Sequence, residues 1–257
     1  IEKQLLHVIN GKDEFDTDFS AVISKLKKSN DYVDLFQEAF PNHQNNPINT
    51  FTFSTALGSY ISSLTSYNSV FDRSLCSDSV ILTEEEKKGF NLFMGKALCA
   101  TYHFPPNFSG LVPPFYNENE SEVIGVPSTV QSKTIDQDLG RFLNGRFAER
   151  SSIYKNSFKT VTVRNIAYTA PYMHNGVFQS LEDVMEFYNN GGGNGHGYSV
   201  PNQTLPFDSL KLNKEEISNI IAFLHSLSDT TGLTSIPTSL PSFGNELLNK
   251  RTIGGRY

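Results

Sequence analysis

Tryptophan is absent from this 257-residue sequence, and cysteine and methionine are scarce, at two and three. Two cysteines, Cys76 and Cys99, are too few for a disulfide-stapled scaffold and do not fix a redox compartment. No apolar run approaches the roughly 20 residues that a membrane-spanning helix needs. Basic blocks are missing and the net charge is −6, so nucleic acid is not an expected partner. Charged residues reach only 19% and hydrophobic ones 38%, which argues for a globular rather than a disordered chain. No internal repeat or low-complexity tract is visible. What the chain has in quantity is phenylalanine, at 20, which with 11 tyrosines can wall an apolar pocket.

Helical signals dominate. Phe19, Val22, Ile23 and Leu26 share one face over 17–28, and Tyr32, Leu35, Phe36, Ala39 and Phe40 another over 31–40. Residues 48–65 carry a stripe of Phe53, Leu57, Tyr60, Ile61 and Leu64. Thr83 followed by Glu86 has the spacing of a capping box and opens a helix bearing Phe90, Phe93, Met94 and Ala97. Ser180 caps a helix over 181–190 that stops at Gly191–Gly193, and Asn213 with Glu216 caps the last one. Residues 104–158 lack periodicity, an uncommon length of irregular chain that points to function. The only clear strand signal is "KTVTVRN" at 159–165. Past residue 228 the tail is rich in Ser, Thr, Pro and Gly and is expected to wrap the surface. The class is mainly α with long loops. A composition shift near 74–82 places a boundary between a helical segment, 1–78, and a second domain, 79–257.

Within 95–110, "GKALCATYHFPPNFSG", lies Cys99-Ala100-Thr101-Tyr102-His103. A c-type haem attachment motif is C-x-x-C-H, so a tyrosine stands where the second cysteine belongs. On helical backbone Cys99 and His103, at i and i+4, put a thiol and an imidazole on one face. Cys99 alone can form one thioether; Tyr102 can form none. By itself a Cys/His pair is a weak signal, and a small core thiol beside a satisfied histidine explains it as well.

Longer blocks change that. The stretches "SLTSYNSVFDRSL" (63–75), "LTEEEKKGFNLFMGKALCATYHFPPNFSG" (82–110), "FKTVTVRNIAYTAPYMHNGVFQSLEDVMEFYNNGGG" (158–193) and "LKLNKEEISNIIAFLHSL" (210–227) resemble the C-terminal half of bacterial dihaem cytochrome c peroxidases and the related MauG family. Residues 1–47 resemble the end of that family's N-terminal domain more weakly. The resemblance implies a cytochrome c-like haem domain with long irregular loops. It also implies an electron-transfer role, with electrons passed to or from a peroxide-reducing haem. The family's first attachment motif has no counterpart here, so that haem is expected outside this sequence, and no catalytic residue within it.

Position by position, Cys99 and His103 match the attachment cysteine and proximal ligand, giving haem c held by a single thioether. Tyr188 matches the family's second axial position, with Met173, in "PYMHNG", as the other candidate. Tyr188 also lies on a stripe with Leu181, Val184 and Met185 and should face inward. A phenolate ligand would favour ferric iron and lower the potential, where methionine would raise it. Arg164 is expected to reach a haem propionate. Thr169 and Pro171 match carbonyls that bind calcium, a hard cation suited to them. Asp72 and Arg73 read as a structural pair, and His174 as a loop brace. Implied partners are a peroxidatic haem domain, a small redox protein as donor or acceptor, hydrogen peroxide, and a second copy in a homodimer. The implied location is the periplasm. Two other readings stay open: a haem-less remnant of the fold, and a monohaem electron carrier.

Overall fold

Capping residues set the helix boundaries. The computed structural model describes every residue except 13, 78, 112–119, 144–151, 207, 232–236 and 251–257. Parts of the irregular stretch 104–158 and of the C-terminal tail thus lie outside the described residues. The chain is mainly α. Its helices are α1 (Glu2–Asn10), α2 (Phe19–Leu26), α3 (Asn30–Ala39), α4 (Thr50–Ser63) and α5 (Val70–Cys76). Then follow α6 (Glu84–Met94), α7 (Leu181–Asn189), α8 (Gly192–Gly195), α9 (Lys214–Ser226) and α10 (Glu246–Asn249). Among the described residues the strands are β1 (Ser121–Glu122) and β2 (Phe158–Lys159). They pair antiparallel, with Ser121 opposite Lys159 and Glu122 opposite Phe158. Capping boxes open α4, α5, α6, α7 and α9, each satisfying N–H groups that a helix start leaves without partners. No described helix is long and apolar enough to cross a membrane.

The chain divides into two compact units. The first comprises residues 1–65 and 232–257. Its core joins Phe19, Ile23 and Ile48, with Leu6, Tyr32, Phe36 and Phe53 packed against them. Here α4 departs from its apolar stripe. The residues it buries are Thr52, Ser54 and Gly58, while Tyr60, Ile61 and Leu64 are exposed. Gly58 lets α1 approach, since a β-carbon there would lie 3.3 Å from Glu2 Cγ. The tail joins this unit through Ser242, whose N–H and hydroxyl donate to Asp31.

The second unit, residues 66–231, carries the attachment motif. Its core is a cluster of phenylalanines. Phe71, Phe93, Phe108 and Phe223 meet edge to face at ring-centroid distances of 5.2 to 5.8 Å. Phe71 belongs to this core, so the division falls at 65/66 and not at the 78/79 that composition marks. α6 and α9 cross at Gly89, where a β-carbon would sit 1.9 Å from the Asn219 carbonyl oxygen. Gly89→Ala should therefore force backbone apart and cost at least the roughly 1–3 kcal/mol typical of overpacking. A lower urea midpoint at an unchanged slope would report it.

Candidate functional site

α6 delivers the chain to the motif. Its end is closed by the Gly95 N–H on the Asn91 and Leu92 carbonyls, and the Ala97 N–H also returns to Leu92. Leu98 then adopts a left-handed conformation (φ 57°), which a β-carbon disfavours, and a one-turn 3-10 helix, Cys99–Thr101, begins. The His103 N–H donates to the Cys99 carbonyl at 2.8 Å, closing a turn from one residue to the other.

Nδ1 of His103 lies 3.0 Å from the Val161 carbonyl. A carbonyl only accepts, so Nδ1 carries the proton and Nε2 keeps its lone pair. Burial lowers the imidazole's pKa, against the opposing pull of the Val161 and Phe108 carbonyls. The ring is thus neutral at pH 7. A neutral imidazole fixed on a backbone carbonyl through its other nitrogen is how metal-ligating histidines are commonly held.

The Cys99 thiol makes one long contact, 3.6 Å to the Ala97 carbonyl. Burial pushes its pKa up to about 12, so it stays a neutral thiol and not a nucleophile. Cys76 is exposed, and neither cysteine is in a disulfide.

Tyr188 comes from α7, where Leu181 and Met185 of the same stripe are buried in the second core. Burial raises the phenol's pKa, and Cys99 and then Glu122 lie close enough to raise it further. The fold therefore brings Tyr188 toward Cys99. The Tyr188 hydroxyl makes no hydrogen bond among the described residues and keeps some access to solvent. Cys99, His103 and Tyr188 are each partly exposed, and burial is the largest cause of the pKa shift of each. Tyr102 is also partly buried. Its hydroxyl donates to the Thr204 carbonyl at 3.2 Å, and burial, then Glu122 and Glu120, raise its pKa. A thiol, an imidazole lone pair and a phenol are a donor set whose chemistry fits haem c.

Arg164 is placed differently from the expectation that it reaches a propionate. It is 8% exposed, and all five of its N–H donors are engaged. Two go to the Asp72 carboxylate at 2.8 Å each, one to the Ser66 carbonyl, and two to the Pro106 carbonyl. Tyr67 and Phe108 cover the guanidinium, at 4.8 and 5.5 Å. Asp72 thus pairs with Arg164 and not with its exposed neighbour Arg73. This pair buttresses the loop after His103. The Thr162 hydroxyl donates to the Asn107 carbonyl (2.6 Å) and the Val163 N–H to that of Phe108 (2.9 Å). Those loop bonds are also why the strand expected over 159–165 shortens to β2.

Met173 is half-buried with a left-handed backbone (φ 70°), just past the cis Ala170–Pro171 peptide. Thr169 and Pro171 are exposed. Among the described residues no group of three or more His, Cys, Asp or Glu side chains could hold a metal. His174 stacks on Phe158 with ring centroids 3.5 Å apart and faces Asp136 at 3.7 Å, a brace between loops. Sequence reasoning missed Val161, Thr204 and Glu122. The first two act through backbone carbonyls, which leave no residue-type signal.

Residues 1–79 match a family model described as di-haem cytochrome c peroxidase. The cytochrome-c peroxidase IdrP2 of Pseudomonas sp. strain SCT is 33% identical over 221 residues, which cover 79% of this chain and 55% of that protein. The methylamine utilization protein MauG of Methylorubrum extorquens is 29% identical over 238 residues, 92% of this chain and 60% of that one. The chain thus spans little more than half the length of these curated relatives. Among solved structures, a MauG-like protein associated with microbial copper homeostasis matches with a TM-score of 0.69 at 24% identity, over 91% of this chain and 70% of the other. The diheme peroxidase BthA from Burkholderia thailandensis matches with 0.64 at 18% identity, over 94% and 67%. The chain belongs to the dihaem cytochrome c peroxidase/MauG family of haem-binding oxidoreductases.

Proposed function

We propose that this chain is the electron-transfer haem c domain of a dihaem peroxidase or MauG-like oxidoreductase, exchanging electrons with a peroxide-reducing haem outside this sequence. One observation carries the reading. His103 is held neutral with Nδ1 on the Val161 carbonyl, one turn from a desolvated thiol. Haem c, when bound there, supplies an iron that accepts and passes single electrons. Cys99 would hold it through one thioether, and His103 Nε2 would bind the iron while Val161 fixes the ring. Tyr188 would give up its phenol proton and serve as a further ligand to the iron. The Cys99 thiol and the phenylalanine core beside it exclude water from that face. Thr169 and Pro171 offer carbonyls to calcium, with the rest of the shell supplied by a partner domain. A small redox protein would serve as electron donor or acceptor, in the periplasm.

A haem-less remnant is the competing reading, favoured by Tyr102, which stands in the second attachment cysteine's place and gives its hydroxyl to the Thr204 carbonyl. Protein made in cells competent for c-type haem attachment separates the two. A Soret band, a mass gain of one haem and a single alkylatable thiol at Cys76 are expected. No Soret band and no mass gain would overturn the haem reading. Tyr188→Phe should alter the ferric spectrum; an unchanged one would remove tyrosine as the ligand.

A further inference from the structure

Tyr102 occupies the second cysteine's place in the motif, and its side chain is tied into the fold. Its hydroxyl donates to the Thr204 carbonyl at 3.2 Å. Thr204 is laced in turn to Val123. The Thr204 N–H donates to the Val123 carbonyl at 3.0 Å, and the Val123 N–H to the Thr204 hydroxyl at 2.9 Å. Val123 is fully buried and directly follows β1, which pairs with β2. Just past β2, the Thr160 N–H donates to the Glu120 carbonyl at 3.0 Å, and the next residue, Val161, accepts from His103. Tyr102, Thr204, Val123, β1, β2, Val161 and His103 therefore form a closed circuit. Two adjacent residues of the motif are thus tied to the segments that leave the two strands of one small sheet, Tyr102 through Thr204 and His103 directly.

A motif with two thioethers is fixed to the macrocycle at two points, so the turn bearing the histidine cannot pivot. With Cys99 alone, one covalent point remains, and the turn needs a second anchor to hold the imidazole in register. Resting on the haem reading above, we infer that Tyr102 is a positioning residue that replaces the second thioether. It pins the turn from Cys99 to His103 against the Thr204–Val123 wall, and so keeps His103 aimed at a haem attached through Cys99 only. The hydroxyl, not the ring alone, does this, because the hydroxyl makes the anchoring bond.

The test uses the full haem-bearing chain and two variants, Tyr102→Phe and Tyr102→Cys. Intact mass of the unaltered chain comes first: without a haem mass gain the haem reading fails, and this inference with it. With haem present, Tyr102→Phe should keep the covalent mass but enlarge the fraction of His-detached haem roughly two- to tenfold, the range one neutral hydrogen bond supplies. That fraction is read as high-spin ferric absorbance in sub-denaturing urea, with the far-UV signal unchanged. Tyr102→Cys should form a second thioether, leaving Cys76 as the one alkylatable thiol, and should restore the unaltered chain's His-detached fraction. A Tyr102→Phe spectrum identical to the parent's would overturn the inference. So would a second free thiol in Tyr102→Cys, which would show that position 102 does not face the macrocycle's second attachment point.

Discussion

Asp72→Ala is expected to destabilise the chain by about 3–5 kcal/mol, the cost of leaving a buried charge without its partner. The Asp72 and Arg164 side chains are 17% and 6% exposed, so solvent cannot compensate for the lost pair. The guanidinium would keep its Ser66 and Pro106 carbonyls but lose both carboxylate bonds. α5 would lose its capping box as well, since the Ser69 N–H and hydroxyl donate to the same carboxylate. Urea unfolding should show a lower midpoint, and added salt should change the difference little, because a buried pair is weakly screened. Changing both residues, Asp72→Leu with Arg164→Met, should recover much of the loss, since no lone charge is then left inside. Burial pushes the Asp72 pKa up, but Arg164 and Ser69 together outweigh it and hold the carboxyl below its usual 3.8. The stabilisation from this pair is therefore complete above about pH 3.8 and is lost as pH falls through the lower folded value. A loss of less than about 1 kcal/mol would show the pair to be a surface feature.

The elements nearest the site were legible because their signals are local. Thr83 with Glu86 and Asn213 with Glu216 announced α6 and α9, and the two helices meet where Phe90 and Phe93 of the α6 stripe pack on Phe223, a residue the sequence did not single out. Cys99 and His103 stood out by spacing but gained meaning only from the family resemblance, which also singled out Tyr188; the α7 stripe added that Tyr188 faces inward. The commitments of Arg164 were not legible. Asp72 is 92 residues away in sequence, and nothing in either neighbourhood names the other. A free arginine beside a haem motif reads as a propionate ligand until its donors are counted. β1 is two residues long and shows no alternation, so only its partner β2 reveals it. The α4 stripe misled because burial there is decided by Gly58 and by α1, a helix with no fully buried residue and hence a faint sequence signature.

His103→Ala should reduce the yield of haem-bearing chain by more than about a hundredfold, beyond the 10–100-fold that replacing an outer-shell partner costs. The residue does two things that alanine cannot. Its Nε2 presents a lone pair, and its Nδ1 spends the ring's proton on Val161, which fixes the plane of the imidazole. His103→Gly supplied with free imidazole should recover part of the ferric spectrum, because the Val161 carbonyl remains to orient the added ring. Haem-free protein offers an independent readout. Burial lowers the His103 pKa from 6.5, so on acidification the unfolded chain takes up its proton before the folded one. The contribution to stability is full above about pH 6.5 and is lost as pH falls through the lower folded value. His103→Ala should flatten that acid-side slope in the haem-free chain. In the haem-bearing chain the acid-side loss should extend further, since a nitrogen bound to iron in the folded state cannot take up the proton that the unfolded chain still binds. Equal slopes with and without haem would mean that His103 does not bind iron, and would leave the motif a structural turn.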